Sequence, residues 1–187
     1  MVLAENGLQR IRSIVKLIVT RAGLEPARQL RFALSAAIPG ARVRGTGFKS
    51  IFALEAEGDV AELAKLVCRE CSQSIGHVTA VLATVESRCD PIKEAAVRIG
   101  EEQIGLEESF CFRLHKRGPH FLERDTLTLE QEIGGAIWTA LERKYKKKPK
   151  VSLKNSDITV IAEVLGPIAA VGISRRAWRE RLHADRV

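Results

Sequence analysis

Aromatic residues are scarce in this chain: six Phe, two Trp and one Tyr among 187 residues, 5% of the total. A platform that stacks successive single-stranded bases needs such rings at intervals, so stacking is not the main resource of this composition. Four scattered cysteines do not make a disulfide scaffold, and they fit a reducing compartment. No apolar run approaches the ~20 residues of a membrane span. The N-terminus lacks the charged, apolar and small-residue series of a secretory signal. These absences predict a cytoplasmic protein with no membrane partner. Low-complexity linkers and internal repeats are also missing. Hydrophobic residues at 45% and charged residues at 28% exclude a disordered tail and a collagen-like repeat. The length allows one domain or two small ones, and a chain of this size buries roughly 70% of its unfolded surface.

Basic charge is abundant. Thirty Lys and Arg against 23 Asp and Glu give a formal charge of +7. Up to Cys89 there are 12 basic and 8 acidic residues, or +4; from Asp90 to Glu108, 2 and 6, or −4; from Ser109 onward, 16 and 9, or +7. The densest run holds Arg143, Lys144, Lys146, Lys147, Lys148, Lys150 and Lys154 with no acid among them. A second cluster contains Arg175, Arg176, Arg179 and Arg181. A single charge run is most often a solvated face. Two in one half of a basic protein point to a polyanion, and contacts to phosphate and RNA shape suit so few aromatics.

Periodicity divides the chain. Leu17-Ile18-Val19-Thr20 reads as a buried strand ending at Arg21-Ala22-Gly23. Pro26 fits the first turn of a helix striped by Leu30, Ala33, Leu34, Ala37 and Ile38, which Pro39-Gly40 stops. Val43 to Ala56 reads as two strands or one bent hairpin. Asp59 and Glu62 form a capping-box pattern before a helix striped by Val60, Leu63, Val67, Cys71 and Ile75 and closed by Gly76. His77 to Glu86 reads as a strand covered on both faces. The resulting order, strand-helix-strand-strand-helix-strand, is the ferredoxin-like βαββαβ arrangement. Cys89-Asp90-Pro91 looks like a break, which predicts an N-terminal domain over 1–88 and a second over 89–187. In the second, a helix from Ile92 to about Ile104 bears the acidic stretch on its solvent face. Phe110, Phe112 and Leu114 alternate with Cys111, Arg113 and His115 as a half-buried strand, followed by a polar loop, Lys116 to His120. Asp125 or Thr126 caps a helix striped by Leu129, Ile133, Ile137, Ala140 and Leu141. Gly134-Gly135 weakens that helix by roughly 1 kcal/mol per Gly, which predicts a compensating close backbone contact. Ile158, Val160, Ala162 and Val164 alternate as a strand, and Gly166-Pro167 turns into a partner from Ile168 to Ile173. The fold class is α+β.

Catalytic and metal chemistry find no recognisable signature. Cys68-x-x-Cys71 lacks a second ligand pair at zinc spacing and sits on or beside an apolar stripe, so both read as core cysteines. Gly45-Thr46-Gly47-Phe48-Lys49-Ser50 has Phe where a nucleotide-cradling loop requires Gly before Lys-Ser; Lys49 remains a candidate RNA contact. His77, His115, His120 and His183 have no nucleophile or carboxylate arranged near them in sequence, and the deaminase pattern is absent. The reading is therefore no catalytic residue, no metal and no cofactor.

The segment from 110 to 174 resembles the THUMP domain of RNA-modifying enzymes. The resemblance rests on a Phe-bearing strand, Lys116-Arg117-Gly118-Pro119-His120, a helix containing Glu132-Ile133-Gly134, and Val151-Ser152-Leu153-Lys154-Asn155-Ser156-Asp157 before an alternating strand. The family usually has an acid at the position of Ser152 and proline at that of Ser156; the Asn155-x-Asp157 frame is kept. THUMP domains normally follow a small ferredoxin-like domain, and with it the likeness covers about Lys16 to Trp178. The implied function is tRNA binding, with the paired domains holding the acceptor end and presenting a base to a catalytic domain. No catalytic domain fits in the remaining residues. The chain thus resembles stand-alone THUMP proteins that assist a separate tRNA cytidine acetyltransferase. The implied RNA contacts are Lys116, Arg117 and His120, then Lys144, Lys146, Lys147, Lys148 and Lys150, then Lys154, Arg175 and Arg176. Two alternatives stay open: a detached or truncated RNA-binding part of a tRNA methyltransferase or thiouridine-forming enzyme, and a membrane-surface or nuclear-targeting segment built on Lys144 to Lys150.

Overall fold

The computed structural model describes residues 15–22 and 26–178; Gly23, Arg179, Arg181 and His183 lie outside the described residues. The elements run β1 (Val15–Arg21), α1 (Ala27–Ala37), β2 (Arg42–Gly45), β3 (Ile51–Ala56), α2 (Val60–Glu70), β4 (Ile75–Glu86), α3 (Cys89–Gln103), β5 (Ser109–Arg117), α4 (Thr126–Tyr145), β6 (Lys150–Val151), β7 (Ile158–Leu165) and β8 (Ile168–Arg175). Strands β2-β3-β1-β4 pair antiparallel in the split βαβ order. β4 also pairs with β8, so a single eight-stranded sheet of order β2-β3-β1-β4-β8-β7-β5-β6 runs through the protein. β5 is parallel to β7, a pairing that needs a crossover, and α4 supplies it.

Local signals set most boundaries. Asp59 accepts a hydrogen bond from the Glu62 backbone N–H at 2.9 Å, and Asp125 accepts one from Thr128 N–H at 2.9 Å. Each such cap stabilises its helix by about 1 kcal/mol. The stripe Leu129, Ile133, Ile137, Ala140 and Leu141 is buried as its spacing requires. Cys68 and Cys71 are buried free thiols of the same core, and burial pushes the Cys71 thiol up to about 11. No described helix is long and apolar enough to cross a membrane.

Several local expectations change. Cys89-Asp90-Pro91 forms the first turn of α3, so that helix starts before Ile92; proline is tolerated there because its missing N–H has no intrahelical acceptor. α2 ends at Glu70, and Ile75 and Gly76 belong to β4. β5 continues through Arg117, so Lys116 and Arg117 are strand residues paired with Val164 and Leu165 rather than loop. Cys111 is buried too, so that strand is covered on both faces at its start. Conversely, β4 is fully covered only over Val78, Thr79 and Ala80, and Leu82, Thr84 and Glu86 are exposed. The glycine pair in α4 makes no close protein contact: a Cβ on Gly134 would lie 3.8 Å from Phe112 Cβ, and one on Gly135 would meet nothing within 4 Å.

The tight approach lies elsewhere. A Cβ on Gly172 would fall 1.9 Å from the Ala80 carbonyl oxygen, beside the register shift of β4 between Val81 and Ala83. Since a Cβ points off the face of a strand, β4 crosses the face of β8 there. The crossing carries Thr20 and His77 over the helix-free face of β7 and β5. A second contact of the same kind joins Phe48 to Gly118, where an added Cβ would lie 2.6 Å from the ring.

Gly172→Ala should therefore cost at least about 3 kcal/mol, since backbone rather than a mobile side chain must move. Gly135→Ala should gain about 0.5–1 kcal/mol. Urea unfolding of the two variants checks both, and equal midpoints would contradict the assigned crossing.

Candidate nucleic-acid interface

α3 and α4 lie side by side in parallel. Lys93 pairs with Glu132 at 3.2 Å near one end, and the Tyr145 hydroxyl donates to the Ile104 carbonyl at 2.7 Å at the other. Both helices thus end together, with their negative dipole ends adjacent to the acids that follow Gly100. The lysine run is placed against this charge. Arg143 lies 3.6 Å from Glu101, and Lys144 donates to the Glu101 carbonyl and sits 4.7 Å over the Tyr145 ring. Lys147 and Lys150 each reach Glu107 at 2.7 Å, and Arg175 reaches Glu108 at 2.7 Å. Hydrogen bonds from Lys147 and Lys150 hold the Glu107 carboxyl down to about 2. The basic run and the acidic stretch, distant in sequence, therefore face each other.

Eleven of the twelve basic candidates, all but Lys154, fall into two groups at opposite ends of β5, which spans roughly 26 Å at ~3.3 Å per residue. Lys144, Lys146, Lys147, Lys148, Lys150, Arg175 and Arg176 gather at one end. Arg176 pairs with Asp157 at 2.5 Å; that carboxylate also accepts from Ser109 N–H and Oγ at 2.8 and 2.6 Å, which hold its pKa down. Lys49, Lys116, Arg117 and His120 gather at the other end, where Phe48 packs on Gly118. Lys116 donates to the Arg124 carbonyl at 2.6 Å, and His120 Nδ1 accepts from Leu122 N–H at 3.3 Å. Lys49, Lys146, Lys148 and Lys154 are exposed, and their side chains have no partner among the described residues. Lys146 caps α4 in the left-handed region at φ 53°, which ends the helix.

Between the two groups an apolar groove of about 280 Å³ runs along α4. Phe112, Leu127, Gly134, Gly135, Trp138, Val151 and Leu153 line it. Two of its walls come from the segment that carries the lysines, because Val151 and Leu153 follow Lys148 and Lys150 and precede Lys154. Arg113 braces that segment by donating to the Leu153 carbonyl at 2.5 Å and pairing with Glu130 at 3.0 Å. The glycine pair is what leaves the groove open.

Arg117 is not a free contact. Its guanidinium is paired with Glu163, whose side chain is fully buried. Glu163 Oε1 also lies 2.9 Å from His77 Nε2 and 2.9 Å from His115 Nδ1. Burial alone would raise the Glu163 pKa, but the hydrogen bonds from His115 and His77 outweigh it and leave the carboxyl well below its ordinary range. This cluster escaped the sequence reading because its members lie 48 and 86 residues apart.

Residues 86–174 match the THUMP domain family. No curated protein matches the sequence. Among solved structures, PH1313 from Pyrococcus horikoshii superposes with a TM-score of 0.61 at 16% identity, over 87% of this chain and 55% of that one. TrmN from Thermus thermophilus gives 0.59 at 22% identity, over 86% and 46%. A 4-thiouridine synthetase in complex with RNA and ATP gives 0.60 at 17%, over 87% and 42%. The chain thus spans about half the length of the solved chains it matches, and they share its fold across both halves.

Removing Arg117 leaves Glu163 buried without its guanidinium, so Arg117→Ala should cost about 3–5 kcal/mol. Lys148→Ala should stay within about 0.5 kcal/mol of the parent protein. Thermal unfolding separates the two. Glu107 favours its charged form in the fold, so its contribution is present above the ordinary carboxylate pKa and fades as pH falls from about 4 toward about 2. A carboxyl NMR titration with an ordinary midpoint would contradict the clamp.

Proposed function

The chain is a THUMP-domain protein, and on that premise we propose that it binds tRNA and presents it to a separate modification enzyme, most specifically a tRNA cytidine acetyltransferase. In this reading the chain is a cytoplasmic, non-catalytic adaptor whose chemistry resides in its partner. The N-terminal unit, 1–88, and the THUMP unit, 89–187, act on one tRNA together.

The observation that carries the proposal is the apolar groove together with the unpartnered lysines of the segment that supplies two of its walls. Lys146, Lys148 and Lys154 are free to meet phosphates, while Phe112, Trp138, Leu127, Val151 and Leu153 offer a surface for unpaired bases of the acceptor end. The fold likeness to a 4-thiouridine synthetase solved with RNA supports the same ligand. A second reading has the chain as the RNA-binding part of a thiouridine-forming or methylating enzyme, and the 42% span of that synthetase favours it.

Affinity for tRNA should fall with salt by ~0.7–0.9 log units per log unit for each phosphate neutralised. Lys146→Ala with Lys148→Ala should shallow that slope by roughly 1.5. Glu107→Gln releases Lys147 and Lys150 and should steepen it. Gly135→Leu places a side chain in the groove from a position where a Cβ meets nothing within 4 Å, and should weaken tRNA binding at least tenfold without lowering the melting temperature. Salt-independent affinity would sink the tRNA reading. Mass spectrometry of tRNA from a strain lacking the gene distinguishes the partners: loss of acetylcytidine supports the adaptor, and loss of thiouridine or a methylated base supports the second reading.

A further inference from the structure

The cluster behind Arg117 has the composition and order of a metal centre. Its three inner groups come from separate strands: His77 from β4, His115 from β5 and Glu163 from β7. Their ligand atoms, His77 Nε2, His115 Nδ1 and a Glu163 carboxylate oxygen, all lie within 4.8 Å of one another. The two nitrogen-to-oxygen separations of 2.9 Å are a few tenths below the ~3.3 Å edge of a tetrahedron built on ~2.0–2.1 Å bonds. Small ring rotations admit an ion.

The surrounding groups orient these three as outer-shell partners orient metal ligands. The Thr20 hydroxyl accepts from the His77 backbone N–H at 2.9 Å and donates to the His77 carbonyl at 3.3 Å. The same hydroxyl lies 2.9 Å from His77 Nδ1, which holds the ring in its orientation. Nε2 is thereby aimed at the Glu163 carboxylate, to which it donates when no ion is bound. A divalent ion can take the place of the imidazole protons on that carboxylate oxygen, because histidine ligands bind metal in exchange for protons. Arg117 occupies Oε2 of Glu163 and leaves Oε1 to both histidines. His115 can carry its own proton on Nε2. The histidines are 24% and 36% exposed while Glu163 is fully buried, so the open side of the triangle faces solvent and admits a water as fourth ligand.

We propose that His77, His115 and Glu163 bind one divalent transition-metal ion of the zinc class, which ties β4 to β5 and β7. Two imidazoles and a carboxylate suit a borderline-soft ion rather than Mg²⁺ or Ca²⁺. The ion clamps the strand that crosses β8 onto the face it crosses. Its role is to hold the two halves of the sheet at one angle, independently of which RNA the surface binds.

Cobalt titration of the chelator-treated full chain tests this. One equivalent of Co²⁺ should produce visible d–d bands, without the thiolate charge-transfer band that Cys68 and Cys71 would give, and Zn²⁺ should displace it. His115→Ala and Glu163→Gln should each weaken binding at least tenfold. Thr20→Val, which frees His77 Nδ1 but keeps the ligands, should weaken it about tenfold to a hundredfold. Zn²⁺ should raise the melting temperature of the parent protein and not that of His115→Ala. Absence of stoichiometric Co²⁺ uptake by the parent protein overturns the proposal, whatever the variants do. So do a thiolate band, or affinity unchanged in a folded His115→Ala, and none of these outcomes bears on tRNA binding.

Discussion

The contact between Gly172 and the Ala80 carbonyl is the constraint on which the arrangement rests. Without a side chain at position 172, β4 can pass over β8 instead of continuing flat beside it. The sheet therefore curls, and its helix-free face becomes an interior. Ile18, Ile51 and Ala170 form a small apolar cluster there, joined by Phe48, Val81 and Leu165. The same curl buries a carboxylate that would otherwise point to water. Glu163 is thus charged and enclosed because of a glycine nine residues later in the chain, and Arg117 with the two histidines follows as the necessary compensation.

A similar economy governs the opposite face. Packing two helices in parallel places both negative ends together, and the acids after α3 add to them. The lysine run answers that charge before it answers any ligand. Lys147, Lys150 and Arg175 have carboxylate partners already, whereas Lys146 and Lys148 do not. A surface that looks uniformly basic in sequence therefore contains two populations of cation. One is part of the fold, and the other faces outward.

Much of this was legible in the residues. The stripe of α4, its Asp125 cap, the βαββαβ order and the THUMP-like segment all depend on neighbours within a few turns or strands, and local periodicity reports such neighbours. Long-range pairing was not legible. In the alternation Ile158, Val160, Ala162, Val164, Glu163 reads as an ordinary outward residue, and only the strand crossing above it makes it interior. The glycines divided in the same way: Gly134 and Gly135 promised a close approach and leave open space, while Gly172, in an unremarked position of a strand, makes the closest one. Sequence pattern identifies a glycine, but what approaches it is decided by the tertiary fold.

The two edges of the sheet have a shared property. At one side the terminal strand is β2, four residues long with Arg42 and Arg44 exposed; at the other it is β6, two residues long and led by Lys150. Inside the second edge, the Leu114 N–H is already taken by Glu130 at 2.8 Å. Short, like-charged borders repel one another, so two copies are discouraged from adding strand to strand. The protection is electrostatic and has the range of a Debye length, about 10 Å at 0.1 M salt and 3 Å at 1 M. Concentrated salt therefore lowers the barrier that keeps two such sheets apart.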